Sequence, residues 1–186
     1  MACPMCQREH PYTIAEALAQ LASTPKRLER LAAGLSSKRA GARPAPDKWS
    51  AKEIVSHLAD CDLVHGFRYR KIMAEPGSLL PAFDQNAWAD NLRYQDQSLK
   101  TALACFCGVR TGNLALLKSV PEEKWDQGGT HAEYGTLTLR QLVLHLADHD
   151  KNHIAQVERL CPPPAAPRIK EVPRKRGTKA RAKRRR

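Results

Sequence analysis

The chain contains no apolar run near the length of about 18 residues that a membrane-crossing helix needs. Its opening stretch, MACPMCQREH, lacks the hydrophobic segment of an export signal. Both absences lead us to expect a cytoplasmic protein with no membrane partner. Aromatic residues are scarce, at 5%, so a core must be built mainly from aliphatic side chains. Acidic residues are outnumbered, 19 against 31 Lys/Arg, yet the imbalance is local: residues 162–186 carry eleven Lys/Arg and one Glu, a net of +10 out of the overall +12. Internal repeats are absent, as are a Gly-rich phosphate loop and a nucleophilic-serine motif, so neither nucleotide-phosphate nor serine-nucleophile chemistry is indicated.

What is present fits one soluble domain with appendages. A length of 186 residues suffices for a single core. Six cysteines could pair, but the chain is not short and two of them form the tight Cys105-Phe-Cys107 pair, so reduced thiols are expected. The segmentation reads as an N-terminal CxxC segment over residues 1–11, a helical domain over 12–161 and a tail over 162–186. The tail starts with three prolines and ends in a charge block without apolar periodicity, which predicts disorder. Its chemistry suits a weak, salt-sensitive contact with nucleic acid or another polyanion, or no role beyond solvation.

Helix punctuation is clear. Thr13-Ile-Ala-Glu16, Ser50-Ala-Lys-Glu53 and Thr138-Leu-Arg-Gln141 each match a capping box, in which the hydroxyl and the Glu/Gln side chain satisfy first-turn amides reciprocally. They open the first, second and fourth long helices. Thr24-Pro25 resembles a further cap with Pro at the first helical position, so a break or kink near Ser23 is expected. Asp84 caps a short helix through Trp88 and Leu92, and the proline-free run from about Asp96 to Ser119 makes the third long helix. Pro121–Trp125 reads as one helical turn, and DQGGTHAEYGT as an irregular loop or small hairpin. With no sustained strand alternation, the fold class is all-α, a four-helix bundle with short extra helices.

The last helix holds HLADHDKNH, with His145, His149 and His153 each four residues apart. Taking 100° per residue, Leu142, Leu146, Val157 and Leu160 define its apolar stripe; His149 and His153 fall near the centre and His145 toward the edge. Residues at i and i+4 can share a metal ion, whereas i and i+8 lie about 12 Å apart and cannot. In the second helix His57, Cys61 and His65 lie on or beside the stripe of Ile54, Leu58, Tyr69 and Ile72. Periodicity does not choose between His57 and His65 as a third ligand, and Cys61 could ligate or simply fill the core. Inward histidines can equally be hydrogen-bonded core residues.

Three stretches, PAPDKWSAKEIVSHLADCD, FDQNAWADNLRYQDQSL and HAEYGTLTLRQLVLHLADHDKNHIAQ, together resemble the DinB-like superfamily of four-helix-bundle metalloproteins over roughly residues 12–160. The resemblance implies a divalent metal (zinc first, nickel or iron as alternatives) on His57, His149 and His153. It makes His145 a flanking residue and places His65 at the pocket or core. It further implies a small-molecule substrate, a homodimer, and metal-dependent chemistry of a hydrolase or of a transferase using a low-molecular-weight thiol, with thiol transfer ranked first. Asp60, Asp148 and Asp150 could orient imidazoles, though at least two of them are expected to face solvent. Trp49 and Trp88 read as packing anchors. His131, Tyr134 and Arg110 could reach a pocket at one end of the bundle, but no catalytic residue is assigned.

One segment lies outside that pattern. Cys3-Pro-Met-Cys6-Gln-Arg-Glu-His10 has zinc-knuckle spacing with His10 as a third ligand. A structural zinc needs a fourth. Cys105 or Cys107 could supply it only if the N-terminus docks on the third long helix. A redox pair and a flexible, inert segment are the other readings.

Overall fold

The computed structural model describes residues 3–161; the expectations for the 162–186 tail lie outside the described residues. Four long helices form the bundle: α1 (Ile14–Ala32), α3 (Ala51–Ala74), α5 (Leu99–Lys118) and α6 (Leu139–Leu160). Both α1 and α3 pack against α5 and α6, so α1 and α3 occupy opposite corners. Short α2 (Ser37–Ala40), which the sequence did not announce, and α4 (Gln85–Asn91) decorate the connections, with single 3-10 turns at Tyr94–Asp96 and Glu122–Lys124. None of the described helices is long and apolar enough to cross a membrane.

All three capping boxes form. Thr13, Ser50 and Thr138 accept from the amides of Glu16, Glu53 and Gln141, whose side chains return to the cap amides at 2.8, 2.8 and 3.0 Å. Asp84 caps α4 through Asn86 and Ala87. The third long helix starts slightly later than expected, at Leu99 with Ser98 as its cap, because Tyr94–Asp96 forms a separate turn.

The expected break near Ser23 does not occur: α1 runs through Pro25. Pro25 cannot donate to the Leu21 carbonyl, the usual cost of an interior proline. Here that carbonyl accepts from the buried Arg110 guanidinium at 3.0 Å. The Ser23 and Thr24 hydroxyls meanwhile donate to Gln20 O at 2.8 and 3.3 Å. A distant residue thus supplies the missing donor, and the helix continues.

Of the two readings offered for DQGGTHAEYGT the small hairpin is the one that forms, and a third, two-residue strand that the sequence did not announce joins it. β1 (Leu79–Leu80) pairs in parallel with β2 (Gly128–His131), which pairs antiparallel with β3 (Gly135–Thr138). Gly129 makes this possible, since a Cβ there would lie 2.7 Å from Ser78 O. The hairpin ends directly in the cap of α6 and so fixes where that helix starts.

Two apolar clusters fill the bundle. One holds Leu21, Tyr69, Leu117 and Leu142 and the other Leu28, Leu58, Phe106 and Ile154. Along α5, Arg110 stands between Phe106 of the second and Leu114 of the first. Its guanidinium bonds Asp62 on α3 (2.6 Å) and Asp150 on α6 (2.6 Å), all three essentially out of solvent. Asn113 adds a bond to Asp62 O at 2.8 Å. Gly66 lets α3 and α5 come close enough for this, because a Cβ there would meet Asn113 Oδ1 at 2.4 Å. This polar belt sets the register of α3 against α6, and hence of the histidines those helices carry.

Candidate metal centre

His57 projects from α3, and His149 and His153 from α6. Their Nε2 atoms converge: His149 Nε2 lies 3.1 Å from His57 Nε2 and 3.1 Å from His153 Nε2. Nitrogens on a tetrahedral ion with bonds of about 2.0–2.1 Å would be separated by about 3.3 Å. The Gln156 carbonyl oxygen sits 2.8 Å from His153 Nδ1, which puts that ring's proton on Nδ1 and turns the Nε2 lone pair toward the other two. His149 Nδ1 is buried without a protein partner. A single proton cannot satisfy three converging ring nitrogens, whereas one cation can.

Electrostatics favour the ligating, neutral form of each ring. Burial, helped by the neighbouring His153, pushes His57 down to about 3. Burial also lowers His149 well below the usual histidine range, with His153 and His57 adding to the effect, and lowers His153 against the opposing Gln156 bond and Asp150 charge. Cys61 stands at the same point, its Sγ 3.4 Å from His57 Nε2 and 4.0 Å from His149 Nε2. Burial pushes its thiol up, and Asp62 and Asp150 reinforce that, so it stays protonated unless a cation compensates.

The cluster lies between two openings. A cavity of about 340 Å³ is lined by His57, Cys61, His65, Arg68, His131 and Tyr134, among others. A second, of about 870 Å³, is lined by Trp49, His149, His153, Gln156 and Arg159. Trp49 packs its ring 4.8 Å from that of His57. The donor set therefore borders space for a small molecule on two sides.

Other sequence-predicted residues sort as follows. His65 is buried and lines the smaller cavity. His131 and Tyr134 line it too, stacked on each other at 4.8 Å, and Arg68 reaches His131 Nε2 at 3.1 Å. Arg68 escaped the sequence reading; its only signal is its position one turn after His65. Arg110 does not reach this pocket, being held in the buried belt. Of the three aspartates Asp150 is buried and Asp60 and Asp148 are partly exposed, and each has a hydrogen-bond partner. Asp60 accepts from Tyr94 Oη at 2.5 Å, Asp148 lies 2.9 Å from His10 Nδ1, and Asp150 is bonded to Arg110. None of the three hydrogen-bonds to the converging rings; each is engaged elsewhere. The N-terminal CxxC segment does not dock on α5: Cys105 is exposed and Cys107 Sγ faces Glu29, while Cys3 packs against α6 at His145.

A helix bundle of this topology defines a class. The chain belongs to the DinB superfamily, whose family model matches residues 7–157. It is 26% identical over 147 residues to OB0413 of Oceanobacillus iheyensis, named a putative metal-dependent hydrolase, covering 78% of this chain and 83% of that one. Among solved structures it is similar to YfiT of Bacillus subtilis, described as a probable metal-dependent hydrolase with an unusual four-helix bundle topology. The TM-score is 0.74 at 19% identity, over 79% of this chain and 85% of that one. A mycothiol-dependent maleylpyruvate isomerase shares the fold at TM-score 0.62 and 11% identity, over 80% and 62% of the two chains.

Proposed function

We propose that the protein is a divalent-metal-dependent enzyme whose ion is held by His57, His149 and His153 and whose open coordination positions face the cavities beside them. The observation that carries this reading is the convergence of three Nε2 atoms, two pairs of them 3.1 Å apart, with His57 fully buried and His149 and His153 partly so. A divalent ion there, zinc being the first candidate and nickel or iron the alternatives, supplies Lewis acidity that lowers the pKa of a coordinated water or thiol.

The chain's own residues account for the rest. The rings stay neutral through burial, and Gln156 fixes the tautomer of His153. The Arg68 guanidinium and His131 give the smaller cavity a polar, cationic wall suited to an anionic or carbonyl-bearing small molecule. Relatives named as hydrolases support water as the nucleophile; the shared fold with a mycothiol-dependent isomerase supports a low-molecular-weight thiol. Loading the protein with zinc, nickel or iron(II) and assaying it against an ester and amide panel, then against thiol plus electrophile pairs, separates the two. Activity that depends on the metal and disappears in His149→Ala supports the proposal; turnover equal in the metal-free protein contradicts it.

The +10 charge of residues 162–186 favours a second reading, a polyanion-binding protein. It predicts salt-sensitive RNA or DNA affinity abolished by deleting residues 165–186, with metal content unchanged.

A further inference from the structure

Three histidines at four-residue spacing leave one unexplained, because His149 and His153 account for two. His145 instead reaches the N-terminal segment. Its Nδ1 lies 3.8 Å from Cys3 Sγ, while Cys6 Sγ lies 3.5 Å from His10 Nε2. These four ligand atoms all fall within 4.8 Å of one another. On a tetrahedral ion with bonds of about 2.3 Å to sulfur and 2.0–2.1 Å to nitrogen, sulfur and nitrogen would be separated by about 3.6 Å. The fourth ligand that the Cys-x-x-Cys…His spacing lacks is therefore supplied from 135 residues away by α6.

We propose that Cys3, Cys6, His10 and His145 form a second, closed Cys2His2 site that takes one zinc-class divalent ion in a structural role.

Four further observations support it. His10 Nδ1 lies 2.9 Å from Asp148 Oδ2, the carboxylate–histidine pairing that fixes a ligating ring with Nε2 toward the metal. The loop is folded as a knuckle: Gln7 N donates to Cys3 O at 2.7 Å and Cys3 N to Arg8 O at 2.8 Å. The amides of Cys6 and Met5 are also turned toward the Cys3 sulfur. Gln7 adopts φ 55°, a left-handed conformation unfavourable for a residue with a Cβ, which closes the turn between Cys6 and His10.

Four protein ligands leave no position for substrate, so the role is structural. The ion would clamp residues 3–10, otherwise too short to bury a core of their own, onto α6. It would also hold Met5, which lies between the two cysteines and contributes to the wall of the smaller cavity. α6 then serves two ions, with His145 turned to one and His149 and His153 to the other.

The site is independent of the three-histidine centre and is tested separately from it. In full-length, metal-free Cys61→Ser protein, which removes the only thiol near the other centre, cobalt(II) titration should give two equivalents and a near-ultraviolet thiolate-to-cobalt charge-transfer band. Cys6→Ser in that background should lose the band and one equivalent; His149→Ala should lose one equivalent and keep the band. No band in Cys61→Ser, or a band that survives Cys6→Ser, would overturn the proposal. An unchanged stoichiometry in His149→Ala, with the band still dependent on Cys6, would count against the three-histidine reading while supporting this one. Should Cys6→Ser fold poorly, alkylation of the unmutated chain provides the answer. Zinc should slow modification of Cys6 about tenfold or more while exposed Cys105 reacts equally with and without it. Equal Cys6 rates, or a Cys3–Cys6 disulfide in the purified protein, would refute the site.

Discussion

Replacing Arg110 with Met removes the cation from the buried belt and leaves the Asp62 and Asp150 carboxylates, both at 0% exposure, facing each other without compensation. Five guanidinium contacts of 2.6–3.1 Å to the two aspartates are lost, and Leu21 O loses its substitute for the Pro25 amide. Breaking one member of a buried ionic network costs about 3–5 kcal/mol, and for a domain of this size each kcal/mol moves the melting temperature by roughly 2–4 °C. We expect Arg110→Met to melt roughly 10–15 °C below the native chain, both measured metal-free so that ion binding does not contribute. The deficit should also depend on pH. Burial holds the Asp62 carboxyl above the usual carboxylate range, and Arg110 is the main opposing influence. Without Arg110 that pKa rises further, so the folded variant takes up a proton that the unfolded chain does not. The variant therefore recovers stability relative to the native chain as pH falls from neutral toward the ordinary carboxylate range near 4. Both chains lose stability over the same interval, because His57 and His145, pushed down to about 3 and about 4 by burial, resist the protons that unfolded histidines accept; that loss cancels in the difference. Adding Asp62→Asn to Arg110→Met should restore part of the loss at pH 7. Calorimetric melting points within 3 °C of native at pH 7, or a deficit that grows on acidification, would refute the belt as described.

Other consequences are as direct. Gln156→Leu should weaken zinc binding about tenfold, read by competition with a chromophoric chelator, because the hydrogen bond that fixes the His153 tautomer is lost; unchanged affinity would remove Gln156 from the site. Gly66→Ala should destabilise the fold by about 1–3 kcal/mol in urea unfolding, since the new Cβ would meet Asn113 Oδ1 at 2.4 Å; a neutral result would mean that Asn113 can move without harm to the belt. Ser50→Ala should cost about 1–2 kcal/mol, as the cap it removes is buried and belongs to the helix that carries His57.

The sequence carries local signals faithfully and distant ones poorly. The three capping boxes set the starts of α1, α3 and α6 within the chain itself, and the four-residue spacing of His149 and His153 on an apolar stripe was enough to place both inward. The preference for His57 over His65 as a ligand rests on the family resemblance, since both lie on the same face of α3 and both are buried. Pro25 misled because its missing hydrogen bond is supplied by Arg110, 85 residues away. β1 is two residues long and pairs with a strand some 50 positions later, which no alternation pattern can reveal. His145 looked like a bystander of the three-histidine centre for the same reason: its counterparts, Cys3, Cys6 and His10, sit at the other end of the chain. The partners of the aspartates (Tyr94, His10, Arg110) were not legible because each comes from a different element.

The most direct test of the central claim is the metal content, by mass spectrometry, of full-length protein purified without chelator or metal-binding tag, in a Cys6→Ser background that removes the N-terminal thiol pair. The account predicts close to one divalent ion per chain there, and essentially none when His149→Ala is added. Protein that stays metal-free after dialysis against zinc, nickel and iron(II), or that keeps its ion in the double variant, would contradict the assignment of His57, His149 and His153 as the metal centre.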